Sequence, residues 1–133
     1  MAFDDKYRIS SHGIFINDNK ILMVKATYGD FGWSFPGGSL EPGETIHEAL
    51  IRECKEELDV DIEVLYMSGM YFHKTFHSHA CMFRCSIIQP ANIKLSWEHS
   101  EYRYFDIDGL SNSHKVRVID CLQYDGFVKS GKF

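Results

Sequence analysis

Glu53, Glu56 and Glu57 stand at i, i+3 and i+4 in the segment ETIHEALIRECKEELDV (44–60). At about 100° per residue, a helix gathers these three carboxylates into an arc of roughly 100°. Leu50, Cys54 and Leu58 form an apolar stripe that begins at the edge of that arc. The acids therefore lie beside the core rather than on the opposite, solvated face. Like charges at this spacing cost a helix a few tenths of a kcal/mol per pair, about 0.2–0.5. The helix dipole does not help, because acids gain most in the first turn and these fall near the last. Something positive must compensate. Arg52 is one candidate, but a helical wheel turns it away, toward Glu48 and Glu56. A hard divalent cation that takes oxygen ligands is the better one.

The loop ahead of the helix supplies the rest of such a site. In FPGGSLEPGE (35–44), Gly37, Gly38 and Gly43 let the backbone approach a ligand closely, and Pro36 and Pro42 stiffen its path. This loop is expected to hold Glu44 and the backbone carbonyls of the glycine pair close to the helical glutamates. Magnesium keeps several waters and takes a few carboxylates together with substrate phosphates. The chemistry that fits is metal-assisted attack of water on a diphosphate.

The elements that position these groups follow from pattern. Residues 8–26 alternate around the turn signal NDNK and predict a hairpin; TYGDFG (27–32) is a loop and WSF (33–35) a short strand. Thr45 with Glu48 forms a capping box that starts a helix running to Leu58. Residues 61–76 and 79–88 are rich in β-formers and predict an antiparallel pair, and 101–107 a further strand. QPANIKLSWEHS (89–100) is a loop or a weak strand, and 113–124 an amphipathic helix that ends the fold. Helices separated by runs of strands imply an α/β architecture, a mixed sheet covered on both faces.

The 133 residues are enough for one domain with its own core. With 44% hydrophobic and 25% charged residues, the composition is that of a soluble globular protein. No apolar run approaches the ~20 residues that span a bilayer, and MAFDDKYRIS lacks the pattern of a secretory signal. Cys54, Cys81, Cys85 and Cys121 are read as reduced thiols, which with the absent signal points to the cytoplasm. A formal net charge of −5 argues against general nucleic-acid binding. His73, His77, His79, Cys81 and Cys85 invite a zinc reading. On a strand, however, Cys81 and Cys85 lie ~13 Å apart, too far to share one ion.

The loop and helix together resemble the Nudix box: a Gly, five residues, a Glu, seven residues, then Arg-Glu-apolar-x-Glu-Glu-x-Gly-apolar. Gly38, Glu44, Arg52, Glu53, Glu56, Glu57 and Val60 match, Cys54 fills the apolar slot, and Asp59 replaces the last glycine. That glycine lets the chain leave the helix with positive φ, a conformation that Asp tolerates better than most residues.

The resemblance implies one Nudix domain over 1–133, an α/β/α sandwich with a mixed sheet between helices. It also implies a hydrolase of nucleoside diphosphates linked to another moiety, dependent on Mg2+ or Mn2+. Glu53, Glu56 and Glu57 are the implied metal ligands, with a Gly37 backbone carbonyl beside them. Arg52 holds a catalytic glutamate in place, and Glu44 supports the loop and counts with Gly37 and Gly38 among the implied substrate-binding residues.

Family members take the general base from the box helix or from a later loop. In SWEHSEYRYF, Glu98 is favoured over Glu101 as base or metal ligand. Tyr28 and Phe31 are candidates to stack on a base, whereas Trp33 is read as packing the loop onto the sheet. The proline associated with ADP-ribose hydrolases is absent, Thr75 standing in its place. The tyrosine associated with dinucleoside polyphosphate hydrolases is replaced by Phe76, His77 and Ser78. A nucleoside triphosphate and a nucleotide sugar both stay open as substrates, and a homodimer is compatible with the family. The alternative is a non-catalytic nucleotide-sensing module of the same fold.

Overall fold

The computed structural model describes residues 3–29 and 31–133. Met1, Ala2 and Asp30 of TYGDFG lie outside them. Strands β1 (Arg8–Asn17) and β2 (Lys20–Ala26) form the expected hairpin, with Asn17 paired to Lys20 and with Asp18 and Asn19 at positive φ in the turn. After β3 (Trp33–Ser34), the glycine segment departs from the expected loop. Gly37–Ser39 is a short strand, β4, laid antiparallel on β1 with Gly38 opposite Ser11. Helix α1 (Ile46–Leu58) follows, then β5 (Ile62–His73), β6 (Ser78–Ile87), β7 (His99–Asp106), a 3-10 turn (Ile107–Gly109) and α2 (Asn112–Leu122). The chain does not end on α2. A last strand, β8 (Lys129–Lys132), pairs parallel to β5.

The sheet runs β3-β2-β1-β6-β5-β8, with β4 on β1 and β7 on β2. It is mixed, because β1 and β6 run parallel while β5 and β6, like β2 and β7, run antiparallel. The two-residue period of the strands divides the core between the faces. Phe15, Leu22, Val24 and Phe83 pack with Leu50, Cys54 and Leu58 of α1. Ile14, Ile21, Met23 and Met82 pack with Val118 and Cys121 of α2. The sandwich of helix, sheet and helix is the expected one. No helix among the described residues is long and apolar enough to cross a membrane.

Helix α1 begins and ends as its sequence requires. Thr45 Oγ1 accepts the Glu48 N–H and the Glu48 carboxylate accepts the Thr45 N–H, completing the capping box. At the other end Asp59 is left-handed, φ 55° and ψ 44°, and donates its N–H to the Lys55 carbonyl. The four cysteines are free and buried. Cys81 and Cys85 sit two strand repeats apart on β6 and pack in the core, so they are core residues rather than ligands.

Candidate active site

A cleft of about 490 Å³ opens where β1, β4, α1 and the turn before β7 meet. Glu53, Glu57 and Glu98 line it with Gly37 and Gly38. Glu57 is 2% exposed, a carboxylate taken almost wholly out of water. Its Oε1 accepts the Gly37 N–H at 3.1 Å, while its Oε2 is buried without a hydrogen-bond donor. His99 Nε2 stands 3.7 Å from that orphan oxygen. Burial pushes the Glu57 carboxyl up to about 9, and the Glu53 carboxylate alongside pushes the same way. Such a pair strongly attracts positive charge.

The glycines make this approach possible. At Gly38 an added Cβ would lie 2.7 Å from Glu53 Cδ and 2.8 Å from both carboxylate oxygens. At Gly37, with φ 140°, it would lie 2.0 Å from the Ser11 carbonyl oxygen. Strand β4 thus lies flat on β1 with the helix acids against its other side. The glycine pair was expected to offer carbonyls to the glutamates; the contact present is the Gly37 amide on Glu57.

Arg52 does not turn away from the acids. Its Nε and Nη2 donate to the two oxygens of Glu44 at 2.6 and 2.9 Å, Nη2 also to the Ser39 carbonyl, and Nη1 to Glu53 and Glu56 at 3.0 and 3.1 Å. A wheel places only the Cα–Cβ direction, and the long side chain swings back over the loop. Glu44 also accepts the Glu41 N–H, and paired with Arg52 its carboxyl lies below the usual range. Its carboxylate is spent on Arg52 and the loop and does not line the cleft, which corrects its assignment as a substrate contact. Glu56 is half exposed and directed to Arg52, so only Glu53 and Glu57 of the three helical acids meet in the cleft. Among the described residues no group of three His, Cys, Asp or Glu side chains is already gathered around one point.

Glu98 sits in the turn just before β7, and its carbonyl accepts the Thr27 N–H at 2.9 Å while Thr27 Oγ1 donates to the Trp97 carbonyl. These bonds clip the Glu98 turn to the end of β2, next to Tyr28. Tyr28 lines the cleft with its ring half exposed. Phe31 is exposed at φ 54° and is not among the lining residues. Glu101 pairs with Arg103 outside the cleft, which favours Glu98 of the two. Trp33 packs edge-on against Phe105 at 4.9 Å beneath Arg103, as read. Sequence reasoning missed His99 and His12. The ring of His12 lines the cleft from β1, and burial lowers it to about 4, so it is neutral at pH 7. Its spacing from Ser10 on a strand that lines a cleft was the available signal.

A mixed sheet between two helices, with a glycine-cradled pair of helical carboxylates in a cleft, defines a Nudix-type α/β/α sandwich. The chain belongs to the Nudix family: the NUDIX domain model matches residues 6–121. It is 33% identical to the "ADP-ribose pyrophosphatase" of Methanocaldococcus jannaschii, over 90% of this chain and 79% of that one. It is 32% identical to "Nudix hydrolase 2" of Arabidopsis thaliana over 95% of its own length, but spans only 49% of that longer protein. Among solved structures, an ADP-ribose pyrophosphatase from Streptococcus suis superposes with a TM-score of 0.79, covering 95% of this chain and 99% of that one at 15% identity, a likeness of fold.

Proposed function

We propose that the protein is a single-domain pyrophosphohydrolase that uses Mg2+ or Mn2+ to cleave a nucleoside diphosphate linked to another moiety. The observation that carries this reading is the orphan Oε2 of Glu57, buried beside Glu53 under the Gly37–Gly38 strand. A buried carboxylate pair with an unsatisfied oxygen fits a hard cation that prefers oxygen ligands. Glu53 and Glu57 would hold the ion, with Glu56 completing the set once it leaves Arg52, and with the Gly37 carbonyl and Glu98 in reach of the same cleft. When bound, the cation neutralises diphosphate charge and makes water a better nucleophile.

The remaining chemistry belongs to the chain. Glu98, held in place by Thr27, accepts the proton of the attacking water. Arg52 fixes Glu53 through Nη1 and ties the helix to the loop through Glu44. Tyr28 offers its ring to the base. The relatives named as ADP-ribose pyrophosphatases support a substrate of this general class. The test is a hydrolysis screen over nucleoside triphosphates, ADP-ribose, dinucleoside polyphosphates and nucleotide sugars, with and without magnesium. Turnover of one class only with metal is expected. Binding without turnover of any would instead favour a nucleotide-sensing module.

A further inference from the structure

Helix α2 buries a cation that the site described so far does not use. Arg117 is only 8% exposed. Its Nε donates to the Ser113 carbonyl at 3.1 Å, and no carboxylate pairs with it among the described residues. Asp120, one turn further along α2, accepts the Tyr71 hydroxyl instead. The guanidinium lies against two rings, Phe35 at 5.2 Å and Phe133 at 4.8 Å. Burial pulls it down to about 10, so it is still charged at pH 7. A buried charge with so little compensation lowers stability, and an apolar side chain of the same length would fill the space without that cost. The charge needs another reason.

Its neighbours supply one. Phe35 is 3% exposed and sits between Arg117 and the edge of the His114 ring, 5.1 Å away. It leads directly into the glycine strand. Pro36 stiffens the link, and its carbonyl accepts the Gly13 N–H at 2.8 Å. The next N–H, that of Gly37, is the one donated to Glu57 Oε1. Gly37 has no slack, because the Ser11 backbone occupies the space a Cβ would need. A displacement of Phe35 is therefore carried to the amide that orients the buried carboxylate. On the other side of Arg117, Phe133 is fixed to β5. Its N–H donates to the Phe72 carbonyl at 2.9 Å, its carbonyl accepts the Lys74 N–H at 2.8 Å, and its ring stacks on Tyr71 at 5.7 Å. Arg117 thus joins a ring anchored on the β5–β8 edge to a ring at the root of the glycine strand.

We propose that Arg117 is a positioning residue: by holding Phe35 against Phe133 it sets the Gly37 amide on Glu57, and so orients Glu57 toward the cation. The metal half of this rests on the hydrolase reading; the placement of the amide does not. Attraction between a cation and a ring is directed at the ring face and is strongest where both are desolvated. A neutral chain of the same length fills the gap without fixing the ring. Contacts that orient a metal-ligating group are worth ~10–100-fold in metal affinity.

The test compares the full chain with Arg117→Met, which keeps the length and removes the charge, and with Arg117→Lys, which keeps a cation beside the rings. Each is measured by its Tm, by the NMR amide resonance of Gly37 in metal-free protein, and by Mn2+ binding followed through the EPR signal of the free ion. Arg117→Met should melt no lower than wild type. Its Gly37 amide proton should nevertheless move upfield, as an amide does on losing a carboxylate acceptor, and Mn2+ binding should weaken ~10-fold. Arg117→Lys should recover most of both, and Phe133→Leu should move the resonance the same way by less. A lowered Tm or a failure to fold in Arg117→Met would make the residue merely structural and overturn the proposal. So would a Gly37 resonance unmoved in both Arg117→Met and Phe133→Leu, or a lysine variant no better than the methionine one. Unchanged Mn2+ binding despite a moved resonance would overturn the role in orienting Glu57. Absence of Mn2+ binding in wild type would overturn the metal reading, while the Gly37 resonance still decides whether Arg117 places the amide.

Discussion

Gly38→Ala separates the site from the fold. The glycine has no positive φ to lose, so alanine is tolerated by the backbone. The difficulty is at the side chain, where the new Cβ would sit 2.8 Å from both Glu53 oxygens and 2.7 Å from Cδ. Ordinary contact begins at 3.4 Å, so with Cδ at 2.7 Å the carboxylate must retreat by at least about 0.7 Å. Glu53 is the free end of a flexible side chain, so the retreat is cheap. Stability should change by no more than about 1 kcal/mol, since alanine also restricts the unfolded chain. Catalysis is less forgiving. A misplacement of about 1 Å at a reacting centre costs on the order of 100-fold, so a loss of ~10–100-fold in kcat/KM is expected. Gly37→Ala is the contrast, because its Cβ would strike the Ser11 carbonyl at 2.0 Å, on backbone that cannot move. That variant should melt far earlier or fail to fold. Thermal melts beside metal-dependent hydrolysis rates provide the assay. Full activity in Gly38→Ala, or a loss matched by a collapse in Tm, would refute the reasoning.

Other outcomes follow from the same geometry. Asp59→Gly should raise the urea midpoint by the equivalent of ~0.5–1 kcal/mol, because glycine takes the left-handed cap without a Cβ penalty and the Lys55 pair lost is exposed. A lower midpoint would give Asp59 another role. Glu98→Gln should lower kcat ~100-fold with little change in metal or substrate binding, and a normal kcat with a raised metal requirement would make it a ligand instead. For metal-free protein, the raised Glu57 value means that the folded chain keeps a proton which the unfolded chain releases above about 4.5. Its contribution to stability is therefore full below that pH and is lost as pH rises through about 9. Urea midpoints at pH 6 and pH 9 should fall more in wild type than in Glu57→Gln, and added magnesium should narrow the gap; identical slopes would contradict the burial argument.

Local rules read well from the sequence. The capping box at Thr45, the buried stripe of Leu50, Cys54 and Leu58, and the left-handed exit at Asp59 depend on residues within a few positions of one another, and all are present. What sequence could not show depends on partners far along the chain. Strand β4 has glycine composition that disfavours strands and exists because β1 offers it a ladder. The four residues of β8 are a strand only against β5. Arg52 was misdirected because its reach is set by Glu44 and the Ser39 carbonyl, which the loop brings over the helix. His99 was unread for a similar reason: its neighbour Glu57 is 42 positions earlier, and only the fold brings them together.

The central claim is that Glu53 and Glu57, under the glycine strand, hold the cation on which hydrolysis depends. The most direct measurement is the rate of pyrophosphate-bond cleavage as a function of Mn2+ concentration in wild type and in Glu57→Gln. Wild type should be inactive with chelator and saturate as metal is added. Glu57→Gln should need at least ~10-fold more metal and reach a lower plateau, as expected when a hard-cation site loses one carboxylate. Cleavage that persists in chelator, or a metal curve that the substitution leaves unchanged, would contradict the account.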